Sequence, residues 1–194
     1  MNNAHVGKAA DYRLQDRMEI RDLFSRYGRA IQRIDERELR EVFQPDALVD
    51  KGPGPVGIDE YVPDIVLRHS PIQHASLQVT NVLIDFLGED RAFCESWAVE
   101  VQHRPDADEP TDFVYWVRYG DELERREDGA WRISTRRLLL DHVLGLPVVG
   151  SEAASFTGGR RFVGLRNGDD PIASLRRELN VEEQAVGLET PGLH

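Results

Sequence analysis

The chain has 194 residues, 40% of them apolar and 30% charged, enough for one packed core and too apolar for wholesale disorder. Thirty-five acidic side chains against 24 basic ones leave a formal charge of −11, a field that repels phosphate backbones and anionic lipid; neither nucleic acid nor a membrane is an expected partner. A single cysteine, Cys94, excludes an intramolecular disulfide and reads as a buried core thiol. Met1–Ala10 is polar with no apolar signal region, and no apolar run reaches the roughly 18 residues of a membrane span, so a cytoplasmic protein is expected.

Residues 1–12 read as a flexible lead-in. From Leu14 to Val42 the apolar positions Leu14, Met18, Ile20, Leu23, Phe24, Tyr27, Ala30, Ile31, Ile34, Leu39 and Val42 recur mostly at three- and four-residue steps, which is helical spacing. Asp35 followed by Glu38 is a capping-box pattern; it predicts a break near Ile34 and a second short helix, ended by Phe43-Gln44-Pro45. Asp46–Asp50 reads as a short strand, Lys51–Pro55 as a turn or loop, and Ile58–Leu67 as a helix interrupted or kinked at Pro63. Ser76–Phe86, Arg91–His103, Phe113–Glu124 and Trp131–Leu140 are rich in β-branched and aromatic residues, with turn-forming clusters at Leu87–Asp90, Pro105–Thr111 and Glu127–Gly129.

Helices first and a strand meander afterwards predict an α+β fold: a curved antiparallel sheet closed by the N-terminal helices into a cone with an internal pocket. The domain is expected to span residues 13–149, and 150–194 reads as a C-terminal extension with a short helix at Asp170–Leu179.

Three stretches carry a family resemblance. Leu14 to Ile31 with Phe43-Gln44-Pro45-Asp46-Ala47 resembles the opening of SnoaL-like proteins of the nuclear transport factor 2-like superfamily. Asn81-Val82-Leu83-Ile84-Asp85 with Gly88-Glu89-Asp90-Arg91-Ala92 is similar, as is Arg118-Tyr119-Gly120-Asp121 followed by Glu124 to Ile133, Arg136 and Asp141. The resemblance covers about residues 14–142 and implies the cone fold. It also points to a superfamily of scytalone dehydratase, hexachlorocyclohexane dehydrochlorinase, polyketide cyclases, ketosteroid isomerase and non-enzymatic binding proteins.

In the dehydratase and dehydrochlorinase branch, an aspartate on the first long helix orients a histidine at the start of a sheet strand, and that histidine removes a proton. This sequence departs from the pattern, because Gln32 falls at the aspartate position and Leu77 nearest the histidine position. His74, three residues earlier, reaches the pocket only if the strand begins with a bulge. Arg136 looks equivalent to the dehydrochlorinase's pocket arginine, whose fixed charge would stabilise a phenolate, alkoxide or departing hydroxide. Strict alternation from Trp131 and Ile133 turns Arg136 outward, so its role too requires a bulge.

Asp50 is a further acid or base candidate near the expected pocket mouth, against a solvated turn carboxylate; Tyr27 is a proton donor, against a core tyrosine with a tied-off hydroxyl. The expected catalytic set is therefore His74, Arg136, Asp50 and Tyr27. For substrate binding, Gln32, Tyr61 and Arg68 supply polar groups, and Trp97 and Trp116 supply flat apolar walls. His69 and His74 are five apart, off the spacing of a helical metal pair, and Gly52-Pro53-Gly54-Pro55 lacks the amides of a phosphate cradle; neither metal nor nucleotide cofactor is expected.

These residues and the resemblance imply a cofactor-independent lyase or dehydratase. It would eliminate water, with or without formaldehyde, from a small hydroxylated aromatic compound such as a lignin-derived diarylpropane diol. A substrate phenol acting as electron sink would suit a site without the dyad. The alternatives are a non-catalytic small-molecule binding protein, or a polyketide cyclase or isomerase with Asp50 as base. The resemblance also implies a homo-oligomer, dimer or trimer, formed through the outer side of the sheet.

Overall fold

The computed structural model describes residues 13–104, 111–147 and 164–179. The flexible lead-in at 1–12, most of the turn expected at 105–111, and the extension apart from 164–179 lie outside the described residues. Helix α1 (Leu14–Arg33) buries the stripe Ile20, Leu23, Phe24, Tyr27, Ala30 and Ile31. It stops at Ile34, which takes the left-handed conformation (φ 55°) that β-branched residues rarely adopt. Asp35 then caps α2 (Glu36–Glu41) by accepting from the Glu38 amide at 2.9 Å, so the expected break and cap are both present. The reciprocal half of the box is diverted, because the Glu38 carboxylate pairs with Arg29.

Strand β1 (Phe43–Asp50) begins three residues earlier than expected, and Pro55, read as the end of a loop, opens the short strand β2 (Pro55–Gly57) that pairs with it. Helix α3 (Ile58–His69) contains Pro63. The meander follows as β3 (His74–Phe86), β4 (Arg91–Arg104), β5 (Thr111–Arg125) and β6 (Trp131–Pro147), with β6 running well past Leu140. The sheet order is β2-β1-β6-β5-β4-β3. One correction is that the sheet is mixed, because β1 lies parallel to β6.

The open sheet curves under α1 and α3, and its inward side carries the core. Contact is close enough that a Cβ on Gly28 of α1 would lie 3.2 Å from the Leu77 carbonyl of β3. At the Trp131 end Asp16 accepts from the indole (3.0 Å) and from Arg125 (2.8 Å), joining α1 to the β5–β6 hairpin. From the extension, α4 (Pro171–Glu178) follows a loop whose Arg166 donates to the carbonyls of Ile31, Gln32, His69 and Ile72. One guanidinium thus ties the C-terminal end of α1 to the end of α3 and the turn that follows it. Asp170 reinforces the attachment through Arg33 at 2.7 Å.

Candidate active site

Two irregularities in the sheet decide what faces inward. Across the β5–β6 ladder Leu123 opposes Ile133 and Glu122 opposes Thr135, leaving Ser134 as an extra residue. That bulge resets the alternation, so Ile133 and Arg136 are both inward and fully buried. The bulge that Arg136 required is present. The one that His74 required is not: β3 pairs regularly with β4 from His74 to Thr80, and its shift falls between Thr80 and Leu83, where Asn81 has φ 52°. His74 is exposed opposite His103, on the other face from buried Leu77.

Arg136 is the centre of the inward group. Its Nε and Nη2 donate to the two Asp121 oxygens at 2.8 Å each, a bidentate pair with neither side chain exposed. Its guanidinium lies 4.2 Å from the ring centres of both Tyr27 and Tyr119 and 5.4 Å from that of Phe43. Burial disfavours the charge on Arg136, but Asp121 and Tyr27 outweigh it and hold the guanidinium protonated; burial pushes the Asp121 carboxyl up, against the pull of Arg136. Nη1 is left, buried, with no hydrogen-bond partner, and the Ser96 hydroxyl is in the same condition. The Tyr27 and Tyr61 hydroxyls are 3.4 Å apart. Burial raises both Tyr61 and Tyr119 well above the ordinary phenol value, so at neutral pH these hydroxyls are donors.

A second polar group sits farther along the same interior. On α3, Tyr61, Ile65 and His69 are four apart and stack along one face, a span of about 12 Å. His69 Nδ1 lies 3.7 Å from Glu100 Oε1, and neither atom has a hydrogen-bond partner. Glu100 is the cross-strand neighbour of Leu77. Burial, then the charges of Arg166, Arg68 and Arg104, lower His69 to about 4, while burial raises the Glu100 carboxyl.

Of the predicted residues, the structure brings together Arg136, Tyr27 and Tyr61. Gln32 is near but occupied, its amide donating to the Leu77 carbonyl at 2.8 Å. Asp50 is corrected to the solvated turn reading: it pairs with Pro55 and Arg137, and its carboxylate accepts from the Gly52 amide at 2.8 Å. Arg68 is half exposed and paired with Asp64. Trp97 and Trp116 are corrected to the outer face, because the regular β4–β5 ladder turns Ser96, Ala98 and Val117 inward instead. Cys94 is a core thiol, which burial and the nearby Asp121 push up to about 12.

Sequence reasoning assigned no role to Asp121, Tyr119, Glu100 or Arg166. Asp121 was findable, since Val117, Tyr119, Asp121 and Leu123 alternate in phase and put a carboxylate on an otherwise apolar strand face. Among the described residues no group of three His, Cys, Asp or Glu is placed to hold a metal, and no helix is long and apolar enough to cross a membrane.

Residues 12–137 match the sequence profile of the SnoaL-like domain. This chain belongs to the SnoaL-like domain family. Solved structures similar to this SnoaL-like chain include one described as "Putative Scytalone Dehydratase" from Novosphingobium aromaticivorans (23% identity, TM-score 0.63, covering 73% of this chain and 94% of that one). A type 2 hexachlorocyclohexane dehydrochlorinase is similar at 21% identity, TM-score 0.62, over 71% of this chain and 93% of that one. A hexachlorocyclohexane dehydrochlorinase of type 3 from Novosphingobium barchaimii matches at 21% identity and TM-score 0.62, over 71% and 94%. At these identities the likeness shows the nuclear transport factor 2-like fold. No protein of curated function matches the chain.

Proposed function

We propose that this SnoaL-like protein is a cofactor-independent lyase that eliminates water from a small hydroxylated aromatic compound. The observation that carries the reading is Arg136, a fully buried cation held rigid by Asp121 and two ring faces, with its Nη1 amino group unspent. A preorganised charge in a water-poor interior stabilises negative charge as it develops on a departing or enolic oxygen. Tyr61, held protonated by burial, supplies the proton that turns leaving hydroxide into water, with the Tyr27 hydroxyl 3.4 Å from its own.

With no carboxylate–histidine dyad at Gln32 and Leu77, the electron push comes best from the substrate. A para-phenolate drives electrons through its ring, the benzylic C–O bond breaks, and a quinone methide remains. In a diarylpropane diol the neighbouring hydroxymethyl group then gives its O–H proton back to the tyrosinate that protonated the hydroxide, its C–C bond breaks, the electrons form the ring-conjugated C=C bond and restore the phenolate, and formaldehyde departs. Dehydratase and dehydrochlorinase names among the structural neighbours support the elimination class.

The test is mass spectrometry after incubation with aromatic alcohols and diols and no added cofactor. A product lighter by one water, or by water and formaldehyde, and lost in Arg136→Met, is the expected result. Tight binding with no product would instead favour a non-catalytic binding protein, a reading that the occupied Gln32 amide and the Leu77 substitution support. The cyclase or isomerase alternative loses its base with Asp50 on the turn. Assembly as a dimer or trimer through the outer sheet face belongs to the same proposal.

A further inference from the structure

A cleft of about 860 Å³ lies between the C-terminal end of α1, the start of α2 and α4 of the extension. That volume falls within the range of about 300–1,000 Å³ that small-molecule sites occupy. Six guanidiniums line the cleft, those of Arg29, Arg33, Arg37, Arg166, Arg176 and Arg177, against three carboxylates, Asp35, Glu36 and Glu38. In a chain of formal charge −11 this is a local reversal of sign.

The nearby carboxylates are already committed. Glu38 pairs with Arg29 and Glu36 with Arg40, Asp35 caps α2, and Asp170 takes up Arg33. The three cations that the extension supplies have no carboxylate partner among the described residues. Arg166 spends four of its five N–H groups on backbone carbonyls, Arg177 donates to the Gly168 carbonyl and the Ser174 hydroxyl, and Arg176 makes no ion pair. A carbonyl satisfies a donor without neutralising its charge. Burial accordingly holds Arg166 below the ordinary arginine value, with the Glu100 charge opposing the shift only in part.

The lining selects the chemistry of a ligand. Planar guanidinium forks match the paired oxygens of a carboxylate or a phosphate. Ile34, Ile172 and Ala173 on the same walls suit an apolar body beside those oxygens. More than one unneutralised cation calls for more than one negative charge. We infer that the extension completes a binding site for a small organic dianion, a short apolar body carrying two carboxylates or one phosphate monoester. The site is separate from the buried interior around Arg136, which is not among the residues lining the cleft. Arg166, Arg176 and Arg177 are its anion-binding residues, and all three lie beyond residues 12–137 of the family match.

The test is isothermal titration calorimetry on the full chain with terephthalate, phenyl phosphate and the monoanion benzoate, at low and at high sodium chloride. At least one dianion should bind roughly tenfold more tightly than benzoate, weaken as salt rises, and raise the thermal midpoint of the protein. Whichever dianion binds more tightly tells a dicarboxylate site from a phosphate ester site. Arg176→Gln with Arg177→Gln should weaken that dianion roughly tenfold. The fold should be unchanged by circular dichroism, because α4 contributes no buried residue. Arg126→Gln should leave the affinity unchanged, since Arg126 lines another arginine-rich cleft but is paired with Asp46 and Glu124. Failure of both dianions to bind, equal affinity for benzoate, affinity that survives the double substitution, or an equal loss in Arg126→Gln overturns the inference. None of these readouts involves turnover, so each stands whether or not the interior is a lyase site.

Discussion

Arg136 and Asp121 are both fully buried, and their mutual pairing is what makes that burial tolerable. A buried ion pair gains little over an apolar pair of equal volume, but removing one partner strands the other charge. Arg136→Met should therefore lower unfolding free energy by about 3–5 kcal/mol, and Arg136→Met with Asp121→Leu should recover most of that loss in urea denaturation. A double variant as unstable as the single one would mean that the site's stability does not come from charge pairing. Turnover should stay absent in both, which separates the catalytic demand for a cation from the structural demand for a filled core.

His69 gives the residue scale a pH signature. The unfolded chain binds a proton at the ordinary value of 6.5 and the folded one only at about 4, so between those values the unfolded state holds more protons. Stability conferred by neutral His69 is complete above 6.5 and is lost as pH falls towards 4, by up to about 3 kcal/mol. Glu100 acts oppositely: its raised folded pKa means that acidification protonates the native state first and adds stability. Urea midpoints measured from pH 7.5 down to 4 should show a flatter acid decline in His69→Gln and a steeper one in Glu100→Gln. Parallel curves for both variants and the wild type would remove His69 from the acid limb.

At the scale of elements, the closest fit is α1 against β3. Gly28 leaves no room for a methyl group beside the Leu77 carbonyl, and one turn later Gln32 donates to that same carbonyl. Gly28→Ala gains helix propensity but must push the two elements apart, and overpacking of this kind costs about 1–3 kcal/mol. A net loss in thermal melting, with faster amide exchange at the start of β3, is expected; a stabilised variant would show that α1 can lift from the sheet without strain. The helix break at Ile34 and the Asp35 cap were legible because capping is local chemistry between residues three apart. The partnership of β1 with β6 was not, because parallel pairing joins strands more than 80 residues apart and leaves no local mark. The Ser134 bulge could be named as a requirement of Arg136 but not located, since a single extra residue fits the strand pattern at several places. His69 and Glu100 stayed hidden for a related reason: a helix and a strand supply one residue each, and only the packing angle brings them together.

For the whole molecule, the regular β4–β5 ladder that turns Ser96, Ala98 and Val117 inward puts a wide apolar surface outside, and a register shift at Asp141 of β6 turns His142 and Leu144 to the same side. Val101, Val114 and Leu144 lie in one cross-strand row and Trp116 and His142 in the next. Trp116 and Leu144 are 38% and 40% exposed, and Leu139 and Leu146 add to the band. A charge of −11 keeps such chains apart in general, so an apolar outer sheet face that the charged side chains leave uncovered marks where copies would meet. Proposed assembly across this face predicts a dimer or trimer by size-exclusion chromatography with light scattering at micromolar protein. Trp116→Glu and Leu144→Glu together should convert it to a monomer with an unchanged far-ultraviolet spectrum, because neither side chain belongs to the buried core. Turnover of the aromatic alcohols and diols should survive that dissociation, since Arg136, Tyr27 and Tyr61 all come from the interior of a single chain. A wild-type protein that runs as a monomer at that concentration would assign the band to another partner.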